Sequence, residues 1–364
     1  MRGGEKVLHS LVRIFPDAPV FTLLHVPGSV DPEIEARPIH TTFLQRLPGI
    51  GRSYRSYLPL FPAAAATLEL GAYDLVISSS HCVVKSVRTR PGATHICYCH
   101  TPMRYVWDRY DDYFGPGRAA WPVRTAMALV APWLRRWDRR TAHRPDLYVA
   151  NSRFVAERIR SFYGREATVL PPPVDVEFFT PGPDAPGRFD LVVSALAPYK
   201  RIDLVLDAYR GTGLPVRVVG TGPEEARLRA TAPPEASFLG HVSDVELREL
   251  YRDCRLVLLP GVEDFGIVPL EAMACGRPAI AFAEGGGLET VLPGETGLLF
   301  ESPTAESLRG AVASFDPRAF DRMALRAHAV SHGREIFEAR FREMVAVQLR
   351  AKASVTRTDQ PPAL

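Results

Sequence analysis

The sequence lacks any long apolar run. No stretch approaches the roughly 20 apolar residues of a membrane-spanning helix, and the first residues lack the charged-then-apolar order of a signal peptide. We therefore expect a cytoplasmic protein. Sustained polar tracts are absent until the last residues, and 46% of the 364 residues are hydrophobic while 23% are charged. This composition excludes a disordered chain and is typical of a globular protein with room for two domains.

Cysteine is also scarce, with five residues, an odd number. They are Cys82, Cys97, Cys99, Cys254 and Cys275. Several lie in apolar segments, which indicates reduced, buried thiols and argues against a disulfide framework. Cys97 and Cys99 precede His100, but they share one face of a predicted strand and no second ligand cluster follows, so core positions are favoured over a metal site. The aspartates at 108–112 are expected to form a solvated acidic patch, so we expect no bound metal.

Charge is nearly balanced overall, at +3, but unevenly distributed. Residues 1–150 contain 19 basic and 12 acidic side chains, whereas the rest contains 25 basic and 29 acidic ones. The basic half suggests an anionic partner such as a membrane surface or a phosphate-bearing acceptor, and no motif supports nucleic acid. Arg46–Tyr57 and Trp121–Arg140 combine basic and aromatic residues and would suit peripheral contact with the inner face of a membrane. An amphipathic helix packed on its domain explains the second stretch equally well.

Short apolar runs alternate with helical patterns along the whole chain. The runs are 21–26, 74–79, 94–99, 146–151, 190–196, 215–220, 255–260 and 279–282. This alternation predicts an α/β fold with two Rossmann-like, doubly wound parallel-sheet domains facing a cleft. Three prolines at 171–173 and the loose stretch 180–188 mark the boundary. We expect domains at 1–172 and 173–332, a C-terminal crossover helix at 333–351 and a disordered tail at 352–364.

The segment from Glu263 to Gly276 contains the most informative pattern. It follows the apolar run 255–260 and reads as a glycine turn and a helix opening at Pro269. Free N–H groups at such a helix start suit phosphate or sugar oxygens. Glu263 and Glu271 can each accept hydrogen bonds from a pair of sugar hydroxyls. Taken alone, Glu271 could instead complement the helix dipole and Glu263 could be a solvated loop charge.

Glu263 and Glu271 resemble the E-x7-E motif of retaining glycosyltransferase family 4. Further segments resemble the family in the same order: 194–201, with a lysine that contacts the donor diphosphate, 220–223, 238–242 beside the nucleotide base, and 285–290. The resemblance covers nearly all of residues 150–300. It implies a GT-B fold, with a C-terminal helix that returns to the N-terminal domain, and needs neither a metal nor another cofactor. Ala195 stands where many members carry an arginine, and Arg201 is the candidate substitute.

The resemblance assigns roles residue by residue. It implies catalytic roles for His100, Lys200 and Glu263. It implies donor binding by Gly3, Gly4, Lys200, Arg201, Gly222, His241, Glu263, Phe265, Gly266, Ile267, Val268 and Glu271. Lys85, Arg104 and Tyr105 are the candidate acceptor contacts.

Two segments of the first half resemble the family. His100 ends the apolar run 94–99 and resembles the family's histidine near the transferred sugar, although a structural histidine at a strand end is the alternative. Residues 1–8 resemble a family loop that follows a first β-strand, and that strand is missing. Because its loss would leave ladder groups unpaired, we expect about a dozen more residues in the native protein rather than a truly lost strand.

The expected function is sugar transfer with retention of configuration. The motifs resemble bacterial GDP-mannose-dependent mannosyltransferases of polysaccharide and O-antigen assembly, which implies a glycan or lipid-linked acceptor. A UDP-sugar donor and a non-catalytic nucleotide-sugar-binding homologue stay open. A dinucleotide oxidoreductase is disfavoured because the turn at 220–225 lacks the third glycine of the fingerprint. An epimerase is a further alternative on the same fold, whereas a phosphorylase would need a pyridoxal-bearing lysine that we cannot identify.

Overall fold

A computed structural model describes residues 3–183 and 187–358. The chain divides into two compact units: unit 1 comprises Met1–Pro172 and Phe337–Leu364, and unit 2 comprises Pro173–Ile336. Part of the loose stretch predicted at 180–188 and the last six residues of the predicted tail lie outside the described residues. Among the described helices, none has the length and apolar character needed to cross a bilayer.

Unit 1 begins with helices and strands that alternate along the chain. Its elements before the C-terminal helix are α1 (Gly3–Ile14), β1 (Val20–Thr22), α2 (Pro32–Glu35), β2 (Ile39–Thr41), α3 (Ile50–Ser53), α4 (Phe61–Ala66), β3 (Leu75–Ser80), β4 (Thr94–Cys99), α5 (Tyr110–Phe114), α6 (Trp121–Thr141), β5 (Leu147–Ala150), α7 (Arg153–Tyr163) and β6 (Ala167–Val169). Strands β3, β4, β5 and β6 form a parallel sheet in that order, and β1 pairs with β2 in a separate parallel pair. All six residues of β4 are buried, which explains why its sequence is a continuous apolar run.

The first described residues are helical. Helix α1 begins at Gly3, so Gly3 and Gly4 lie in its first turn and not in the loop that the resemblance implied. The helix forms because Val7 and Leu11, one turn apart, are buried together in the core of unit 1. Residues 1 and 2 lie outside the described part, and the expectation of a preceding strand stays a prediction.

Unit 2 is a single doubly wound sheet covered by helices. Its elements are β7 (Phe189–Val193), α8 (Ile202–Tyr209), β8 (Val216–Val219), α9 (Glu225–Thr231), β9 (Ala236–Gly240), α10 (Asp244–Asp253), β10 (Cys254–Leu259), α11 (Ile267–Ala274), β11 (Ala279–Phe282), α12 (Gly287–Thr290), β12 (Gly297–Phe300), α13 (Ala305–Ala313) and α14 (Arg322–Val330). The strand order is β12-β11-β10-β7-β8-β9, and every pairing is parallel. The order reverses between β7 and β10, and ligands of such sheets bind beyond the carboxyl ends of the strands at this point.

The C-terminal helix α15 (Arg334–Thr358) belongs to unit 1 from Phe337 onward. Phe337, Phe341 and Val345 recur every four residues and are buried in the same cluster as Tyr98 of β4. The helix runs seven residues beyond the predicted end at 351, so residues 352–358 are helical and the predicted tail is wrong there. One reason is an ion pair between the Lys352 ammonium and Asp146 at 2.8 Å.

Candidate functional site

The site in unit 2 begins with an ion pair between two turns. Lys200 ends a 3₁₀ turn, Pro198–Lys200, after β7, and Glu263 lies in the turn after β10. The ammonium of Lys200 donates to Oε1 of Glu263. Both side chains keep about one sixth of their surface exposed, at 16% and 17%. The pair is therefore shielded enough to have strong electrostatic interactions and open enough to meet a ligand.

Glycines allow the turns around this pair to pack backbone against backbone. A Cβ on Gly261 would lie 2.5 Å from the carbonyl oxygen of Tyr199, in the turn of Lys200. A Cβ on Gly286 would lie 2.2 Å from the carbonyl oxygen of Phe265. The amide of Gly286 donates to the carbonyl of Glu263 at 2.8 Å. Any other residue at 261 or 286 would push the turns apart, so these glycines fix the position of Glu263.

The N-terminus of α11 presents unpaired amides next to Glu263. Gly266 has a φ of +86°, a conformation that favours glycine, and precedes the helix without any side-chain cap. Within the part of the chain that the structure describes, the amides of Gly266, Ile267 and Val268 have no hydrogen-bond acceptor. Together with the helix dipole, three free donors suit a phosphate or a sugar oxygen.

Glu271 lies in α11, where its carboxylate is buried. Only 4% of its surface is exposed, and Oε2 accepts a hydrogen bond from the hydroxyl of Tyr251 at 2.9 Å. Burial, and next the charge of Glu271, raise the pKa of Tyr251 well above its usual value, so the phenol stays a donor. The sequence analysis missed Tyr251, since its position on α10 gives no sign of the contact across 20 residues.

Three further predicted donor contacts lie at the same carboxyl edge of the sheet. Gly222 follows β8, and a Cβ there would lie 2.4 Å from the carbonyl of Leu196. His241 follows β9 and is exposed. Arg201 precedes α8 with a φ of +53°, and its guanidinium contacts Asp203 at 3.2 Å.

Phe265 contributes its backbone, and not its side chain, to the candidate site. The prediction named Phe265 as a donor contact; its ring is 4% exposed and lies in the core of unit 2, 6.2 Å from the ring of His332. An aromatic side chain gains more free energy in the core than at a polar turn. The backbone of Phe265, which packs against Gly286, is the part that lies in the site.

In unit 1, His100 follows β4 and is held from several sides. Its Nε2 lies 2.8 Å from the hydroxyl of Ser79, and its carbonyl accepts from the side-chain amide of Asn151 at 3.0 Å. The ring is only half-buried. A Cβ on Gly4 would lie 3.6 Å from Nε2, so α1 begins directly beside the imidazole. Ser79 and Asn151 were not predicted, although both lie at or after strand ends, where site residues of parallel sheets gather.

The three predicted acceptor contacts do not share one surface. Lys85 is 1% exposed, and its ammonium pairs with the equally buried Asp138 at 3.0 Å. The prediction of an acceptor contact is therefore corrected to an interior position, since a buried ammonium needs a buried carboxylate. The hydroxyl of Tyr105 forms a hydrogen bond with the thiol of Cys82. The ring of Tyr105 packs against the hydrophobic cluster of unit 1 that includes Cys82. Arg104 is half-buried beside it in sequence.

Possible metal ligands are dispersed in the described residues. No three histidine, cysteine, aspartate or glutamate side chains there are grouped as an ion would require. Cys97 and Cys99 are buried thiols of β4. Asp108 pairs with Arg158 at 2.6 Å, within the predicted acidic patch.

Two family models cover most of the chain. Residues 1–178 match the model described as Glycosyltransferase Family 4, and residues 175–316 match Glycosyl transferases group 1. The chain belongs to the family 4 type of glycosyltransferase, with the GT-B fold.

Curated relatives agree with this family. The chain is 30% identical over 222 residues of alignment to a GDP-mannose-dependent alpha-(1-6)-phosphatidylinositol monomannoside mannosyltransferase of Mycolicibacterium smegmatis, and the match covers 52% of this chain and 58% of the relative. It is 34% identical over 202 residues of alignment to a D-inositol 3-phosphate glycosyltransferase of Rhodococcus erythropolis, and this match covers 46% of the chain and 45% of the relative. The D-rhamnosyltransferase WbpZ of Pseudomonas aeruginosa is 30% identical over 195 residues, covering 50% and 51%. The chain spans about half the length of the curated relatives it matches.

Solved structures show the same fold over nearly the whole chain. HepE of Anabaena, in complex with UDP, matches with a TM-score of 0.68 and 18% identity, covering 95% of this chain and 96% of that one. Sucrose-phosphate synthase of Thermosynechococcus elongatus matches with a TM-score of 0.70 and 18% identity, covering 94% and 93%. At this identity the likeness concerns the fold.

Proposed function

We propose that the chain transfers mannose from GDP-mannose, with retention of anomeric configuration, to a glycan or lipid-linked acceptor in cell-envelope polysaccharide biosynthesis. The supporting observation is the Lys200–Glu263 pair beside the free amides of Gly266, Ile267 and Val268. One cation and three aligned donors match the charge of a nucleotide diphosphate. The proposal includes no metal or other cofactor.

In the proposed reaction, each residue of the candidate site has its own role. The C1–O bond to the diphosphate breaks, a bond from C1 to the acceptor oxygen forms on the same face, and the acceptor proton passes to a leaving phosphate oxygen. Lys200 and the α11 amides stabilise the charge that develops on the diphosphate, which is the larger catalytic contribution. Glu263 holds hydroxyls of the sugar, Glu271 those of the ribose, and His100 a sugar hydroxyl or the acceptor. Because Lys200 pairs with Glu263 in the structure, a bound diphosphate would compete for the ammonium.

The donor rests on the sequence motifs and on the Mycolicibacterium relative, whose printed name includes GDP-mannose. A UDP-sugar is the alternative, because the HepE structure was solved with UDP. A non-catalytic nucleotide-sugar-binding protein is the second alternative, since Ala195 stands where many members have an arginine. The exposed methyl group of Ala195 has no positive charge that could pair with a diphosphate.

The test is a nucleotide-release assay with a panel of GDP- and UDP-sugars, read beside the thermal shift that each donor causes. We expect turnover with GDP-mannose and a loss of roughly 100-fold or more in kcat for Lys200→Ala. Lys352→Ala is the matched control, because Lys352 also pairs with a carboxylate but in unit 1. Its kcat should stay within about twofold.

Each other outcome has a definite meaning. Turnover confined to a UDP-sugar would replace the donor, and stabilisation without turnover would favour the non-catalytic alternative. A product of inverted configuration, read from the anomeric coupling in NMR spectra, would contradict retention. Equal activity of the two lysine variants would remove Lys200 from the mechanism.

A further inference from the structure

Helix α6 carries two apolar stripes, and only one of them is buried. The buried residues are Met127, Ala131, Leu134, Asp138 and Thr141. They recur at intervals of three and four, as expected for one face of a helix, and Met127, Ala131 and Leu134 pack in the core of unit 1. This face accounts for the position of α6 on unit 1.

The opposite face is exposed and changes character along the helix. Its residues, again at intervals of three and four, are Pro122, Ala126, Leu129, Trp133, Arg136 and Arg140. Leu129 is 77% exposed and Trp133 49%, and Trp121 at the helix start is 74% exposed. The first three turns of this outer stripe are thus apolar, whereas its last turns end in guanidinium groups. Scattered apolar residues need no explanation, but a stripe of this kind on one helix does.

The charged residues around α6 are almost all basic. Residues 118–144 contain seven arginines and one acid, Asp138, which is buried against Lys85. In the described part of the chain no carboxylate pairs with Arg136 or Arg140. Arg144 follows the helix, and its pKa is lowered mainly by burial and secondly by the charge of Arg88. Nothing within the helix neutralises its basic end.

We propose that the outer stripe of α6 lies on an anionic lipid surface, with Leu129 and Trp133 in the headgroup layer and Arg136 and Arg140 on lipid phosphates. Apolar and aromatic side chains followed by unpaired arginines are the composition of helices that bind in the plane of a membrane interface. Each arginine near an anionic surface adds a favourable, salt-sensitive contribution. The surface goes beyond the proposed sugar transfer, and its test needs no donor or acceptor.

The test is co-sedimentation of the full chain with vesicles of phosphatidylcholine alone or with phosphatidylglycerol added, at low and high salt. We expect binding to the anionic vesicles, a blue shift of tryptophan fluorescence, and release as salt rises. The double variant Arg136→Glu with Arg140→Glu should bind at least about tenfold more weakly. Arg160→Glu with Arg340→Glu changes the net charge equally at exposed helical positions of unit 1 and is the matched control.

The apolar half of the stripe has its own variants. Leu129→Ser with Trp133→Ser should weaken binding to anionic vesicles by about tenfold and abolish the blue shift. The control, Val245→Ser with Met323→Ser, removes two equally exposed apolar side chains of unit 2 and should bind normally. Circular dichroism melting checks that all four variants fold.

Three outcomes would overturn the proposal. One is equal vesicle binding by the α6 variants and their controls, and another is equal binding to neutral and anionic vesicles. The third is a dimer in sedimentation velocity that Leu129→Ser with Trp133→Ser dissociates, because a second copy would then cover the stripe. Donor turnover is measured separately, so a chain without substitutions that turned over its donor normally but bound no anionic vesicles would reject this surface alone.

Discussion

Tyr251 positions Glu271 through a single hydrogen bond inside unit 2. Tyr251→Phe removes the donor and leaves a buried carboxylate with one partner fewer, which typically costs about 1.5–3 kcal/mol for a charged group. If Glu271 binds the ribose, we expect KM for the nucleotide sugar to rise about tenfold or more while kcat changes little. Steady-state kinetics with varied donor concentration measure this split.

The matched control for Tyr251→Phe is Tyr209→Phe. Tyr209 is also buried and also donates to a carboxylate, Asp190, but at the amino end of β7. It should lower the melting temperature without changing KM. Equal changes of KM in both variants would show that Tyr251 acts only through stability.

His95 makes the stability of unit 1 sensitive to acid. Its side chain is buried in β4, with Nε2 2.8 Å from the hydroxyl of Ser78, and burial lowers its pKa from 6.5 to about 4. The unfolded chain therefore binds a proton between these values that the folded chain does not, and stability falls as pH drops from 6.5 to 4. The loss attributable to His95 should reach up to about 3 kcal/mol.

Urea unfolding at pH 7, 5.5 and 4.5 measures this dependence. His95→Gln should flatten the decline, whatever its stability at pH 7. His143→Gln, at an exposed position, should keep the wild-type slope. An unchanged slope in His95→Gln would assign the acid sensitivity to other groups.

At the scale of elements, the turns after β7 and β10 depend on Gly261. A methyl group there would overlap the carbonyl of Tyr199 at 2.5 Å, so Gly261→Ala must displace one of the two turns. We expect the melting temperature of unit 2 to fall by an amount corresponding to about 1–3 kcal/mol, and donor binding to weaken with it. Scanning calorimetry and donor titration measure the two effects.

Gly310→Ala is the control for this substitution. Gly310 lies inside α13, and a Cβ there would meet no atom within 4 Å. Alanine should leave stability unchanged or raise it by up to about 1 kcal/mol through helix propensity. Equal destabilisation by both substitutions would contradict the role given to close approach at Gly261.

The elements that the sequence predicted are those with continuous apolar runs. Each of the eight runs overlaps a strand, from β1 to β11. Four strands were not predicted: β2, β6, β9 and β12. All four lie at the edge of a sheet, where one side has no neighbouring strand and the residues need not be apolar throughout. Their positions follow from pairing with distant strands, which sequence patterns do not show.

The sequence pointed to those parts of the candidate site that lie in a turn or at the start of a helix. Lys200 and Glu263 lie 63 residues apart, and their meeting follows from the reversal of strand order between β7 and β10. The position of Lys85 could not be predicted in this way, because its partner Asp138 is the one acid in a helix whose other charged residues are all arginines. Burial of a pair depends on packing between elements, and local spacing does not reveal it.

At the scale of the whole molecule, α15 makes the end of the chain part of unit 1. Phe341→Ala would empty a fully buried position beside Val7 and Tyr98. We expect a loss of about 3–5 kcal/mol that lowers the unfolding transition of unit 1 and leaves that of unit 2 in place. Hydrogen exchange followed by mass spectrometry assigns each transition to its unit.

Val347→Ala provides the comparison on the same helix. Val347 is 53% exposed, so its truncation should change stability by less than about 0.5 kcal/mol. If Phe341→Ala lowered both transitions together, the two units would unfold as one cooperative body. A change confined to unit 2 would contradict the assignment of α15.

The turns at the candidate donor site of unit 2 contact one another through main-chain atoms, at Gly222, Gly261 and Gly286. Apart from the Lys200–Glu263 ion pair, these backbone contacts hold the turns together, and Ala195 is exposed among them. An arginine could be introduced at 195 without disturbing the interior. Such a frame lets the substrate repertoire of a lineage diverge by single exchanges on its surface, while the glycines beneath stay fixed.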